Sequence, residues 1–422
     1  FMGGTNMGTR KHNVAIGIQA GGGSTAGLGN VFIGCYSGYC NGGGSANVYI
    51  NRKAGYFNKT GHDNVMIGDC AGFCGGDQNR NVFIGKYAGY CNQGDDNISI
   101  GLKAGCCLSS GTMNIALGTG AGQRFKSGNN NIAFGFQVMT LADVNGSNNI
   151  AIGHYTGRRI ATGQGNVFFG AGAGRYVLGG CCNIAIGINA HYCLSSGNCN
   201  IAIGQNAGSK QTSSDQNVSI GHLAGSQNCT GSGNVAVGHS AGYGIRGAHN
   251  VSIGATAGPA DSCTDTYDNV FIGSRTGTAY TSGCNIIAIG INAGASSCCA
   301  ATGCNNIHIG QNTGCKVQSG DNNITIGCRA GRNLTTGKCN IFMGLYAGGT
   351  VQTTNNVIAI GNRSAQGATG GVVAIGCCAG GQYGGGSQGG IFIGRCAGRY
   401  ANASDSPNII MGNNAGRSIS NG

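Results

Sequence analysis

The chain has 422 residues, of which 87 are glycine, 2 are proline and 9% are charged, with a formal net charge of +12. Glycine does not recur every third residue and proline is scarce, so collagen is excluded. Val and Ile return at fixed places at low net charge per residue, which excludes a disordered tract, and no apolar run of about eighteen residues is available to span a membrane as a helix. The chain begins at Phe1 rather than Met, which reads as a processed or partial chain with any targeting segment already removed.

In chain order the same unit returns. The first predicted strand is the N-V-A-I-G run ending at Gly17. Equivalent runs end at Gly34, at Asn51 in the glycine slot, at Gly68, Gly85, Gly101 and Gly118, and onward to Gly394 and Gly412. That makes 24 anchors; the first and last are 395 residues apart over 23 steps, a mean of about 17.2. Three before the anchor every residue is Val or Ile, and one before it every residue is apolar. Apolar residues separated by one follow the period of a strand. A small residue, usually Ala, stands three after the anchor, Gly follows it in 21 of 24 repeats, and about eight turn-forming residues complete the unit. One short strand cannot bury a core alone, whereas stacked units can. The predicted fold is all-β: a parallel β-solenoid (β-roll) of about 24 coils with a 17-residue repeat, continuous over residues 1–422 and less regular after Gly361. At the strand spacing of about 4.8 Å the stack would be on the order of 115 Å long.

Each repeat position carries its own expectation. Val31, Ile33, Val82, Ile84, Ile201 and Ile203 are assigned to the core. Asn stands four before the anchor in 20 of 24 repeats; Asn30, Asn64, Asn81 and Asn200 exemplify a ladder of stacked amides. Two before the anchor, 19 of 24 residues are apolar. With the core assigned to its neighbours, this position faces outward. Phe32, Tyr49, Met66, Phe83, Phe168, Phe271, Phe342 and Phe392 are therefore expected to meet other copies of the chain, since so long an apolar stripe is not left in water. The coil containing "FQVMTLADVNGSNN" departs from the Ala-Gly rule at Val138 and Met139.

The 23 cysteines suit an oxidising compartment. Cys74, Cys91 and Cys107 lie six after successive anchors, Cys182 and Cys199 five before theirs, and Cys284 and Cys304 six before theirs across a 20-residue step. In-register residues on neighbouring coils fall inside the Cα window of a disulfide, so coil-to-coil disulfides are expected, ahead of free thiols. Metal binding is disfavoured, because no C-x-x-C pair occurs. No cofactor is expected. "GAGAGR" (Gly170 to Arg175) lacks Walker spacing, His222 and His239 lack a carboxylate companion, and the 12 acidic residues form no repeated pair fit for acid–base work. The chain does not read as an enzyme. The positive charge suits anionic surface glycans as partners, although solubility accounts for it equally well. Basic residues follow no single phase of the repeat, which disfavours nucleic acid.

The segment Asn13 to Gly21, "NVAIGIQAG", and "NIAIGQNAG" from Asn200 resemble the head repeats of trimeric autotransporter adhesins, which carry S-V-A-I-G-x-x-A. They are also similar to repeats in tail-fibre proteins of phages and large viruses. The resemblance covers all 24 coils, with a longer repeat and more cysteine here. It implies a left-handed parallel β-roll, often trimeric, working outside the cell in attachment. The expectation is an extracellular structural fibre protein at a cell or virion surface, self-associating as a trimer or end-to-end polymer. An adhesin or receptor-binding tail-fibre module contacting glycans is the first alternative. A carbohydrate-active β-helix enzyme is the second, and the uniformly short loops argue against it.

Overall fold

The anchor glycine ends each strand. Gly34 has φ +127°, and a Cβ placed on it would stand 2.7 Å from the carbonyl carbon of Asn51 on the next coil. Only a residue without a side chain lets coils stack this closely in that conformation. Asn51, with φ 95°, fills the one slot that lacks glycine.

The computed structural model describes residues 12–260, 265–295, 300–381, 389–400 and 408–417. These residues form 24 strands and no helix, in two compact units, Phe1–Ser214 and Asp215–Gly422. The first unit holds β1 (Val14–Ile16) to β12 (Ile201–Ile203), and the second β13 (Val218–Ile220) to β24 (Ile409–Met411). Within each unit, successive strands pair in parallel and in register, as in Val31↔Val48, Phe32↔Tyr49 and Ile33↔Ile50, or Ile324↔Ile341, Thr325↔Phe342 and Ile326↔Met343. Each unit is a parallel β-solenoid with one coil per repeat. Only β22 (Val372–Ile375) and β23 (Gly390–Ile393) have four residues, in the irregular stretch after Gly361.

The inside and outside of the strand are the reverse of the sequence expectation. Phe32, Tyr49, Met66, Phe83, Phe168, Phe271, Phe342 and Phe392, assigned to an interface between copies, are at most 1% exposed within their own chain. Val31, Ile33, Val82, Ile84 and Ile201, assigned to the core, are half-buried, and Ile203 is 36% exposed. The physical reason is geometric. A three-residue strand between two bends has only its middle side chain pointing to the coil axis, and period two puts both flanking residues on the opposite face.

The interior is filled by complementary sizes. In the coils of Phe32, Tyr49 and Phe83, Asn41, Asn58 and Asn92 stand seven after the anchor, buried. Where the middle residue is Ser99 or Ala116, the position seven after the anchor supplies Leu108 or Phe125, both fully buried. The Gly four after the anchor makes room for the middle side chain: a Cβ at Gly55 would lie 2.6 Å from the Tyr49 ring. Three coils place Met139, His191 and Ala365 there instead, at φ 49°, 46° and 49°, and their middle residues are Ala133, Ala185 and Ala359. Val138 and Met139, an unexplained departure in the sequence, are buried in one cluster with Ala133, Ala151 and Phe168. They fill the space the alanines leave.

Candidate functional site

Turning the strand inside out leaves the repeated Val and Ile on the surface. In the first unit the outward rows run from Val14 and Ile16 to Ile201 and Ile203, and in the second from Val218 and Ile220 to Ile409 and Met411. Phe134 and Phe169, in the row just before the anchor, are 52% and 54% exposed. Ile18, Leu102, Phe136, Ile188, Ile291 and Leu345, each just after an anchor, widen the strip and are also exposed. Sequence reasoning missed these residues as a surface because both faces of the strand are apolar. The mixed sizes at the middle position, from Ala to Tyr, were the available signal for an interior.

The turns carry side-chain columns of another kind. Tyr39, Tyr56, Phe73 and Tyr90, each five after an anchor, stack with ring centroids 5.2 Å apart at every step. On later coils of the first unit Arg175 reaches the rings of Tyr155, Tyr176 and Tyr192 at 5.2–5.6 Å, and Arg158 lies 4.5 Å from the Tyr155 centroid. In the second unit Tyr346 sits between Arg329 and Arg363.

Of the expected disulfides, one is formed: Cys284 and Cys304 are bonded, with Cα atoms 4.8 Å apart. Cys74, Cys91, Cys107, Cys182 and Cys199 are free thiols, although the register of each set is met, as Cys74 N–H···O=C Tyr90 (2.7 Å) and Cys91 N–H···O=C Cys106 (2.9 Å) show. Register sets only the Cα spacing, whereas a disulfide also needs the Cβ atoms to converge to about 3.8 Å. Burial, then the neighbouring Cys74 thiol, pushes the Cys91 thiol up to about 12. Burial and then Cys107 do the same for Cys106. Both stay protonated at neutral pH, so neither is activated as a nucleophile.

His222 and His239 stack at 5.2 Å, and no group of three potential metal ligands occurs among the described residues. Gly170 to Arg175 is the turn of a coil, with no helix after it.

Two histidines are fully buried, one in each unit. His308 closes a chain that is satisfied by a neutral imidazole. Tyr280 O–H donates to Nε2 (3.2 Å), Nδ1–H donates to Thr325 Oγ1 (2.7 Å), and that hydroxyl donates to the Ile307 carbonyl (3.3 Å). Burial lowers His308 to about 4 and His191 to about 3. Unfolding frees each to titrate near 6.5. Their contribution is therefore complete above that value and is lost as pH falls toward the folded value. Between pH 7 and 4 we expect each unit to lose about 3 kcal/mol from its histidine. Urea unfolding at the two pH values, followed unit by unit by hydrogen exchange, measures this. His191→Met, which copies the Met139–Ala133 pairing, should fold and flatten the pH response of the first unit only. An unchanged slope in that variant would assign the acid sensitivity elsewhere.

No protein-family profile and no curated protein matches this chain.

Proposed function

We propose that this protein is a structural subunit of an extracellular fibre, and that copies associate by packing their outward Val/Ile strand faces together. The carrying observation is the continuous double apolar row on each unit. Twelve strands with two half-exposed side chains each, at on the order of 50 Å² per side chain, present roughly 1,200 Å² per unit. That exceeds the ~300–600 Å² of the largest patch on an ordinary monomer and the ~800 Å² per partner of a standard interface. The occupant is a second copy. The face repeats at strand spacing and is complementary to itself, since β-branched side chains of one sheet interdigitate with those of another about 10 Å away. The Cys284–Cys304 bond supports an oxidising location.

Sedimentation of the full chain across a hundredfold concentration range tests this. The native chain should be assembled at micromolar concentration. Ile100→Lys, Phe134→Lys and Phe169→Lys combined should weaken assembly at least tenfold while leaving the β signal in circular dichroism unchanged. A native chain that sediments as a monomer throughout would overturn the proposal.

A further inference from the structure

On the turn edge of the second unit, the positions two and five after successive anchors form two grooves. One, of about 390 Å³, is lined by Arg275, Thr278, Asn292, Asn312, Lys316 and Arg332, among others. The other, of about 340 Å³, is lined by Tyr346, Arg363, Gln366, Cys378 and Arg399 with Gly381. Neither is lined by an acidic residue. The sequence has no acid between Asp321 and Asp405, while Arg329, Arg332, Lys338, Arg363, Arg395 and Arg399 fall in that interval. Of these only Lys338 is paired with a carboxylate among the described residues, with Asp321 at 2.8 Å.

The guanidinium groups are held in place. The Tyr346 ring lies 5.2 Å from Arg329 and 5.9 Å from Arg363, and Tyr400 lies 5.1 Å from Arg399 and 5.8 Å from Arg417. Gln366 Nε2 donates to the Tyr346 carbonyl at 2.6 Å. A guanidinium resting on a ring keeps its N–H edge free for an anion, and its planar fork suits a carboxylate or sulfate. Arg329 and Arg363 stand at the same repeat position two coils apart, so these two charges recur at about twice the strand spacing, roughly 10 Å, and Arg399 follows two coils further on at the position five after its anchor.

We propose that this edge binds an acidic polysaccharide. Carboxylate or sulfate groups on every second sugar meet the arginines, and the side chains of Thr278, Asn292, Asn312 and Gln366 supply partners for sugar hydroxyls. Single-stranded nucleic acid fits less well. Binding it uses exposed aromatic faces on which bases stack, and the Tyr346 and Tyr400 rings each already have two guanidinium groups within 5.1–5.9 Å. The site lies on turns and does not depend on association through the strand face.

The test is titration of the full chain with three probes at 50 and 200 mM salt: heparin, polygalacturonate, and an oligonucleotide of matched charge. Heparin or polygalacturonate should bind more tightly than the oligonucleotide, weakening as salt rises. Arg363→Gln with Arg399→Gln should reduce affinity about tenfold or more, and Arg363→Lys should lose part of it while keeping the charge. Lys53→Gln with Lys59→Gln, an equal loss of charge on the first unit, should change it less than twofold. An equal loss in both double variants would mean attraction by net charge alone and would overturn the site. Tighter binding of the oligonucleotide, or no binding of either polysaccharide at 50 mM salt, would overturn the ligand class.

Discussion

Gly89→Met is expected to destabilise the first unit by more than about 4 kcal/mol, and Phe83→Ala in the same chain to restore most of that loss. A Cβ on Gly89 would stand 2.5 Å from the Phe83 ring, in a fully buried site packed with Ala54, Ala71 and Ala88. The backbone there has φ +54°, which adds about 1–2 kcal/mol for a residue with a side chain. Phe83→Ala alone opens a cavity and should cost about 3–5 kcal/mol. Together the two changes reproduce a pairing the chain already uses, Met139 with Ala133 and His191 with Ala185, in which volume moves from one side of the interior to the other. The double variant should therefore lie within about 2 kcal/mol of the native chain, a coupling energy well above the ~0.5 kcal/mol scatter of independent sites. Native-state hydrogen exchange at Val82–Ile84 measures each corner of the cycle. Additive losses would show that the interior does not trade volume between these positions.

The same volume exchange shows what the sequence could and could not disclose. The repeat length, the three-residue strands and the anchor glycines were legible because the same close approach of backbone to backbone recurs at every coil. A Cβ on Gly17 would meet Gly34 as one on Gly34 would meet Asn51, and spacing alone exposes the rule. Which face of the strand is interior was not legible from alternation, since period two defines two faces without naming either. Val31 and Ile33 are more uniform than Phe32, and uniformity suggested a core. Their uniformity instead suits a pleated outer face on which β-branched residues pack. Phe32, Tyr49, Met66 and Ser99 vary because each is matched inside its own coil. The pairing of Met139, His191 and Ala365 with alanine two before the anchor was visible in the sequence and points inward. The cysteines failed for a related reason: register fixes Cα spacing, while a bond also needs converging side chains. The turn cations were legible as a charge excess suited to anionic glycans, but the grooves were not, because their arginines stand at two different repeat positions, Arg275 and Arg363 two after an anchor and Arg332 and Arg399 five after one.

Asn131→Leu should cost the first unit about 4 kcal/mol, although leucine keeps the branched skeleton of asparagine and the site is buried. Asn131 Nδ2 donates to the Gly146 carbonyl (2.9 Å), and its Oδ1 accepts from the Asn149 backbone N–H (3.0 Å) and from Asn149 Nδ2 (3.0 Å). Leucine leaves the Gly146 carbonyl and the Asn149 N–H without this partner, each at about 1–3 kcal/mol, while Asn149 Nδ2 keeps its bond to Gly163. The acceptor is not set by counting. Asn13, Asn81 and Asn250 donate to Gly27, Gly94 and Thr266, at sequence separations of 14, 13 and 16. In every case the acceptor is three residues before the next ladder asparagine. The amide thus fixes the return of each coil, and extra residues are absorbed before that point. Where the ladder residue is Ile286, Val357, Val372 or Gly390, the following steps are 20, 15, 18 and 18 residues, so every coil that lacks the amide departs from 17, whereas the 16-, 18-, 16- and 19-residue steps from Asn81, Asn131, Asn234 and Asn250 are absorbed with the amide in place. Asn131→Asp separates the two roles: it keeps an acceptor for Asn149 but sets a carboxylate oxygen against the Gly146 carbonyl. It should be destabilising at pH 7 and recover part of the loss once protonated near pH 4. A loss relative to the native chain that is equal at both pH values would show that the bond to the coil return contributes nothing, and would leave coil length to the glycines alone.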